Sequence, residues 1–231
     1  MISDLGVIIA AGGSSQRYGE KDKLLEDLAG MPVFLHSIRN FLPFVAPGNM
    51  VVAVRESALD EFRCLTEKFL PGSQIRFVPG GKDRVSSVRN ALDALELSSG
   101  LVAIHDAARP LASGKLLERV AARARETGGA VAAGKVADSL KLADDNGMIL
   151  LPVSREKVYH AETPQIFDIV NYRHACESLQ GQVPTDDAEI MRLAGFPVAL
   201  VESGEWNLKL TSPDDLGKLQ RIFSGKTTWE K

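Results

Sequence analysis

The chain has 231 residues, 45% of them hydrophobic and 25% charged, enough for one α/β domain around a single buried core. Its net charge of −3 is not that of a nonspecific nucleic-acid binder, so any polyanion site must be a local cluster of Lys and Arg. No run approaches the roughly 18–20 apolar residues of a membrane span, and the opening MISDLGVIIAAGG lacks a basic n-region, so a cytoplasmic protein without membrane or nucleic-acid partners is expected.

Residues 5–11 (LGVIIAA) form a nearly continuous apolar run, the pattern of a strand covered on both faces. A first helix is expected over 33–44, just after Pro32. A second strand follows at 50–54 (MVVAV), a second helix at 59–69 and a third strand at 74–78. Cys64 and Cys176 have no metal-ligand spacing and are expected to be buried and reduced. Val85, Val88, Leu92 and Leu95 recur at helical spacing, so a third helix over 84–97 packs one face on the sheet. A fourth strand is expected at 101–105, then a helix capped by Ser113 and stopped after Thr127 by Gly128 and Gly129.

From Val131 to about Tyr159 the pattern changes. Two short alternating pieces flank Asp144-Asp145-Asn146-Gly147, and Asn-Gly between β-type residues signals a hairpin. A β-arm over about 135–160 is therefore expected. A lone hairpin is poorly stable, so the arm should pack on a second copy of the chain. Helices around 170–179 and 185–193 follow, then a strand at 198–202. The last helix opens at Ser212-Pro213-Asp214-Asp215, with a cap, a first-position Pro and first-turn acids. The whole reads as one domain, a three-layer, doubly wound, mostly parallel sheet. Such sheets bind ligands at the carboxyl ends of their strands.

The first strand runs into Ala10-Ala11-Gly12-Gly13-Ser14-Ser15-Gln16-Arg17-Tyr18-Gly19, with Lys23 shortly beyond. Paired glycines let backbone N–H groups turn toward an anion, and Arg17 and Lys23 add positive charge. The alternative is a tight turn with solvated basic residues. A P-loop is excluded here because no glycine of this loop stands directly before Lys-Ser/Thr. A dinucleotide-binding loop is excluded because Gln16-Arg17 stands where a third Gly should open a helix, and Glu56 lies too far along to restore it. The A-G-G-x-S-x-R-x-G…K pattern instead resembles the signature of sugar-phosphate nucleotidyltransferases. By itself it also fits molybdenum-cofactor guanylyltransferases, as does Asp22-Lys23-Leu24-Leu25.

Further motifs narrow this. Gly80-Gly81-Lys82-Asp83-Arg84-Val85-Ser86-Ser87-Val88 resembles the G-G-x-x-R-x-x-S-V segment of the 2-C-methyl-D-erythritol 4-phosphate cytidylyltransferases. His105-Asp106-Ala107-Ala108-Arg109-Pro110 matches that family in full, and the guanylyltransferases lack it. Asp138-Ser139-Leu140-Lys141, Arg155 with Thr163-Pro164-Gln165, Thr185-Asp186-Asp187-Ala188 and Asn207-Leu208-Lys209-Leu210-Thr211 continue the resemblance, which covers residues 5–220. The chain departs from the family at Ser15, where many members have Gly, and at Glu162, where Leu or Gln is customary. It also shows a short span from Arg17 to Lys23.

The resemblance implies a Rossmann-like nucleotidyltransferase fold and transfer of CMP from CTP to methylerythritol phosphate, with release of pyrophosphate. It implies Arg17, Lys23 and Lys209 as catalytic residues. CTP would be bound by Ala10, Ala11, Gly12, Gly13, Gly81, Ser87, Asp106 and Ala107. The acceptor would be bound by Asp106, Arg109, Ser139, Arg155, Thr163, Thr185 and Lys209, with Ser139 and Arg155 supplied by the arm of a homodimer. Mg²⁺ is expected mainly on the CTP phosphates. Lys82 is left out of the site because the family often has an acid there. His105 is expected to be structural, ending an apolar strand in a buried hydrogen bond. A ribitol-5-phosphate cytidylyltransferase shares nearly all these motifs, and a catalytically silent nucleotide-binding module is a further alternative.

Overall fold

A computed structural model describes residues 1–13, 18, 22–179 and 181–225. The strands are β1 (Leu5–Ala11), β2 (Asp27–Leu28), β3 (Met31–Pro32), β4 (Met50–Val54), β5 (Arg76–Pro79), β6 (Leu101–Asp106), β7 (Gly129–Lys135), β8 (Leu140–Ala143), β9 (Ile149–Val153), β10 (Tyr159–Asp168) and β11 (Ala199–Glu202). The helices are α1 (Val33–Phe41), α2 (Leu59–Phe69), α3 (Arg84–Ala94), α4 (Gly114–Thr127), α5 (Ile169–Glu177), α6 (Asp187–Leu193) and α7 (Pro213–Phe223).

Seven strands form one sheet in the order β11-β7-β10-β6-β1-β4-β5. Every neighbouring pair is parallel except those of β10, which runs antiparallel to both β6 and β7. Alternation along β1 assigns the two faces. Leu5, Val7 and Ile9 belong to a core shared with α1, α4 and α7, while Ile8 joins a second core built with α3, α5 and α6. A sheet covered on both faces needs apolar side chains on both, which is why LGVIIAA does not alternate with polar residues.

The observed β1, β4 and α2 have the expected bounds, and α4 begins on Ser113, whose Oγ accepts from Leu116 N at 3.2 Å. Helix α1 stops at Phe41 and passes into a 3₁₀ turn over Leu42–Phe44, because Pro43 cannot continue an α-helix. Helix α3 ends at Ala94, where Leu95 adopts an extended conformation. Four strands were not anticipated: β7 and β10 of the main sheet, and the two-residue pair β2 and β3. Cys176 is buried, but Cys64 is exposed on the outer side of α2, which corrects the expectation for that residue. Among the described residues, no helix is long and apolar enough to cross a membrane.

The arm leaves the sheet at the Lys135–Tyr159 pair and continues as β8 and β9, a separate antiparallel pair. Its turn is closed by Asp144, whose Oδ1 accepts from Asn146 N at 3.0 Å and Met148 N at 2.9 Å, and by Gly147 at φ 78°. Leu142, Met148, Ile149, Leu150 and Leu151 are all exposed there, an apolar concentration unusual for a surface facing only water.

Candidate active site

Because β1, β4, β5 and β6 run parallel, their carboxyl ends open on one rim of the sheet. Gly12 and Gly13 follow β1, Gly80 and Gly81 follow β5, and Asp106 ends β6. Gly80 N donates to Val54 O at 2.6 Å, and a Cβ on Gly80 would stand 3.1 Å from Ser87 Oγ and 3.3 Å from that same carbonyl. Glycine is used there because two backbones and a helix approach closely. Ser87 Oγ accepts from Gly81 N at 3.0 Å and donates to Asp83 O at 2.7 Å, so its proton is spent on shaping the loop. Asp83 caps α3 in a reciprocal box with Ser86.

Two cavities meet on this rim. The first, about 370 Å³, is lined by Ala10, Gly12, Gly13, Lys23, Gly81, Ser87 and Lys82, among others. The second, about 310 Å³, takes Arg109, Glu162, Thr163, Gln165 and Thr185. Arg84, Asp106 and Lys209 line both. Lys209 Nζ lies 2.5 Å from Asp106 Oδ2 and Arg84 Nη2 lies 3.7 Å from Asp106 Oδ1. Burial works to raise the Asp106 pKa, but Lys209 and Arg84 outweigh it and hold the carboxyl well below the usual carboxylate range. Asp106 is therefore a fixed anion between two cations.

Lys23 is presented by a turn in which Asp22 Oδ1 accepts from Leu24 N at 3.0 Å, while the other Asp22 oxygen pairs with Arg55 at the end of β4. Asp106 is set from the other side by Thr163, whose Oγ1 accepts from Asp106 N at 3.0 Å and meets His105 Nδ1 at 3.0 Å. His105 Nε2 stands 3.3 Å from Arg109 O. With Thr163 donating to Nδ1 and Nε2–H donating to Arg109 O, one neutral tautomer satisfies the whole group. Arg109 Nη1 donates to Asn207 O at 2.6 Å, and its Nε has no hydrogen-bond partner among the described residues. Glu162 Oε2 accepts from Asn207 Nδ2 at 2.7 Å.

His105 is fully buried, and burial pushes its pKa down to about 3. An unfolded histidine takes up a proton below pH ~6.5, whereas the folded one refuses it until about pH 3. The stability that comes from keeping His105 neutral is thus complete above pH ~6.5 and is lost as pH falls. The loss should reach about 2 kcal/mol at pH 5. Urea denaturation at pH 7 and pH 5 checks this, and a flat profile between them would show that His105 ionises in the folded protein.

Most residues singled out in the sequence come together on this rim. Ala11 and Ala107 are buried in the core and line neither cavity, although Ala107 N bonds Ala10 O at 3.1 Å and so ties β6 to β1 beneath the site. Thr163 has its hydroxyl engaged inside the protein, and Thr185 Oγ1 donates to Glu189 Oε2 at 2.9 Å. Ser139 and Arg155 lie exposed on the arm, away from both cavities of their own chain, with Arg155 bonded to the Ala137 carbonyl. Arg17 falls outside the described residues. Lys82, left out of the site on sequence grounds, lines the first cavity. Arg84 and Asp187 were not given roles, although both stand inside quoted motifs. For Arg84 the available signal was a charged side chain just past Gly80-Gly81 at the end of β5, and for Asp187 the acidic pair Asp186-Asp187 at the start of α6.

The comparisons agree with this geometry. A family profile described as 2-C-methyl-D-erythritol 4-phosphate cytidylyltransferase, or IspD, matches residues 5–224. The protein of that name from Bacillus licheniformis is 34% identical over 222 residues, covering 95% of each chain. That from Rhodopirellula baltica is 37% identical over 234 residues, covering 96% of each. The solved structure of a 4-diphosphocytidyl-2C-methyl-D-erythritol synthase from Anaerococcus prevotii is similar at a TM-score of 0.82 and 25% identity, covering 95% of this chain and 98% of that one. Similarity that runs through the sheet, the rim and the arm alike leaves one conclusion, that this chain belongs to the 2-C-methyl-D-erythritol 4-phosphate cytidylyltransferase family.

Proposed function

We propose that the chain transfers a cytidylyl group from CTP to 2-C-methyl-D-erythritol 4-phosphate and releases pyrophosphate, a step of isoprenoid-precursor synthesis. The observation that carries this beyond family membership is the junction of two cavities on the shared group Arg84, Asp106 and Lys209. The first cavity takes CTP. The glycine backbone at Gly12 and Gly13, with Lys23, faces the triphosphate, and the motif assigns Arg17, outside the described residues, to the same phosphates. Ser87 keeps an acceptor lone pair once its proton is given to Asp83 O, which suits the exocyclic amine of cytosine. The second cavity takes the acceptor, with Arg109, Thr185 and Lys209 around it.

The acceptor's phosphate monoester is already anionic near neutral pH, so attack at the α-phosphorus needs no general base. One phosphate oxygen forms a bond to the α-phosphorus, the α–β bridging bond breaks, and its electron pair leaves on pyrophosphate. His105 takes no part, since it is neutral and sealed behind Thr163. The difficulty is repulsion between two polyanions, and positioned cations supply most of the rate. Lys23 and Arg17 meet the leaving pyrophosphate, while Lys209 and Arg84 meet the α-phosphate and the incoming oxygen.

Among the described residues no three ligand-type side chains cluster as a metal cage. The carboxylates on the first cavity are Asp83, which caps α3, and Asp106, which holds Lys209. That donor set, two carboxylates already engaged within the protein, fits Mg²⁺ held chiefly by the triphosphate. The ion would neutralise phosphate charge as the bond breaks. Pyrophosphate release measured with each of the four nucleoside triphosphates tests this function. Turnover with CTP alone, abolished by EDTA and restored by Mg²⁺, is expected, and equal turnover with GTP would overturn the assignment.

The chain acts as one domain in the cytoplasm, and its arm seats on a second copy. The exposed apolar residues of β8 and β9 supply the contact, and the arm carries Ser139 and Arg155 toward the partner's acceptor cavity. Replacing Ile149 and Leu150 by Asp should convert a dimer to monomers in sedimentation velocity and raise the acceptor KM. A wild-type protein that sediments as a monomer would refute this.

A further inference from the structure

Arg84 opens α3 and is the only guanidinium among the described residues that lines both cavities. Behind it stands a buried pillar. Arg84 Nη1 is 2.5 Å from Asp187 Oδ2, an approach close enough for an ion pair but not directed as a hydrogen bond. Asp187 is fully buried at the first turn of α6, and its other oxygen accepts from Tyr172 Oη at 2.6 Å. Tyr172, also fully buried on α5, stacks on Phe167 of β10 with centroids 5.2 Å apart and planes at 8°. Gln165 of the same strand braces the start of α6. Its Oε1 accepts from Ala188 N at 2.9 Å and its Nε2 donates to Asp186 Oδ2 at 3.0 Å. The line from sheet to site is thus Tyr172, Asp187, Arg84, Asp106 and Lys209, and neither Tyr172 nor Asp187 lines a cavity.

We propose that Tyr172 and Asp187 are positioning residues, which fix the Arg84 guanidinium where the two cavities join so that it faces donor and acceptor phosphates together. This deepens, and rests on, the cytidylyl transfer proposed above. A buried carboxylate is a costly way to join two helices, and apolar side chains of the same size would serve as well. What apolar side chains cannot do is aim a cation. A guanidinium is planar and multidentate, so one edge can be held by Asp187 and Asp106 while the rest stays open to ligand. A third of the Arg84 side chain remains exposed, at 33%, although its ion-pair partner Asp187 is sealed at 0%. Burial opposes its charge, yet Asp187 and Asp106 outweigh burial and keep it protonated. Burial holds the Tyr172 hydroxyl protonated too, so that it donates to Asp187.

A double-mutant cycle separates this role from a structural one. Tyr172→Phe keeps the ring on Phe167 and removes only the donor, and Arg84→Lys keeps the charge but loses the fork. Each is expected to lower kcat/KM for pyrophosphate release by about tenfold, the scale of a slightly misaimed group. The double variant should be no worse than the weaker single, because the hydroxyl acts only through the guanidinium. Losses that multiply to about a hundredfold, or wild-type kcat/KM in Tyr172→Phe, would overturn the inference. A Tyr172 that merely stabilised the fold would lower Tm without changing kcat/KM per folded site. The same cycle is read in parallel as the Kd for Mg·CTP by calorimetry. If the wild-type protein releases no pyrophosphate, the functional assignment fails, and non-multiplying against multiplying shifts in that Kd decide the positioning role alone.

Discussion

Lys209→Ala should lower kcat/KM for pyrophosphate release by about 10²–10³-fold, the scale of removing a transition-state donor. Two effects act in the same direction. The change deletes a cation that lines both cavities, and it strips Asp106 of its partner at 2.5 Å. Asp106 then keeps Arg84, at 3.7 Å, and the weaker influence of Arg109, so its negative charge faces the incoming phosphates less well compensated. Adding Asp106→Asn to Lys209→Ala should therefore recover part of the CTP affinity, although not the turnover. Steady-state kinetics on the single and double variants give the answer. If the double variant binds CTP no better than Lys209→Ala, repulsion by Asp106 is not part of the loss.

Arg84→Ala should show itself first as instability. It leaves Asp187 fully buried, with Oδ2 facing no cation. Removing one partner of a buried pair costs about 3–5 kcal/mol. Because Arg84 is itself a third exposed, water can enter behind the truncated side chain, and about 3 kcal/mol is the better figure. In a chain of this size that is about 6–12 °C in Tm. Thermal denaturation of Arg84→Ala, and of the same variant carrying Asp187→Asn, tests the cause. The second change removes the stranded charge and should restore several degrees. An unchanged Tm in Arg84→Ala would mean that Asp187 is satisfied without it.

Where local pattern and tertiary environment agree, the chain could be read directly. β1 and β4 are apolar because both faces of the sheet are covered, and α4 begins and ends where Ser113 and Gly128 place its caps. β7 and β10 escaped notice for physical reasons. β7 is GAVAAGK, whose small residues carry little strand preference and follow directly on a helix-stopping glycine. β10 contains Pro164 and is buried mainly from Thr163 to Phe167, so its outer half has neither alternation nor an apolar run. Its place between β6 and β7 depends on pairing far along the chain, which no local window contains.

The site divides in the same way. Gly12, Gly81, Ser87, Asp106 and Lys209 were legible because they sit in compact motifs at strand ends, where a doubly wound sheet puts its ligands. Arg84 and Asp187 were quoted in motifs without a role, since what gives them one is burial of Asp187 and its approach to a residue on another helix. Ala11 and Ala107 belong to the same motifs but turn their side chains into the core, a difference that motif membership alone does not reveal.

The account turns on the acceptor as much as on CTP. Pyrophosphate release with Mg·CTP, run in parallel with 2-C-methyl-D-erythritol 4-phosphate and ribitol 5-phosphate, tests it most directly. Release with the methylerythritol phosphate, together with a product heavier than that acceptor by one cytidylyl group, is the predicted result. Release with ribitol phosphate alone, or with neither acceptor, would contradict it.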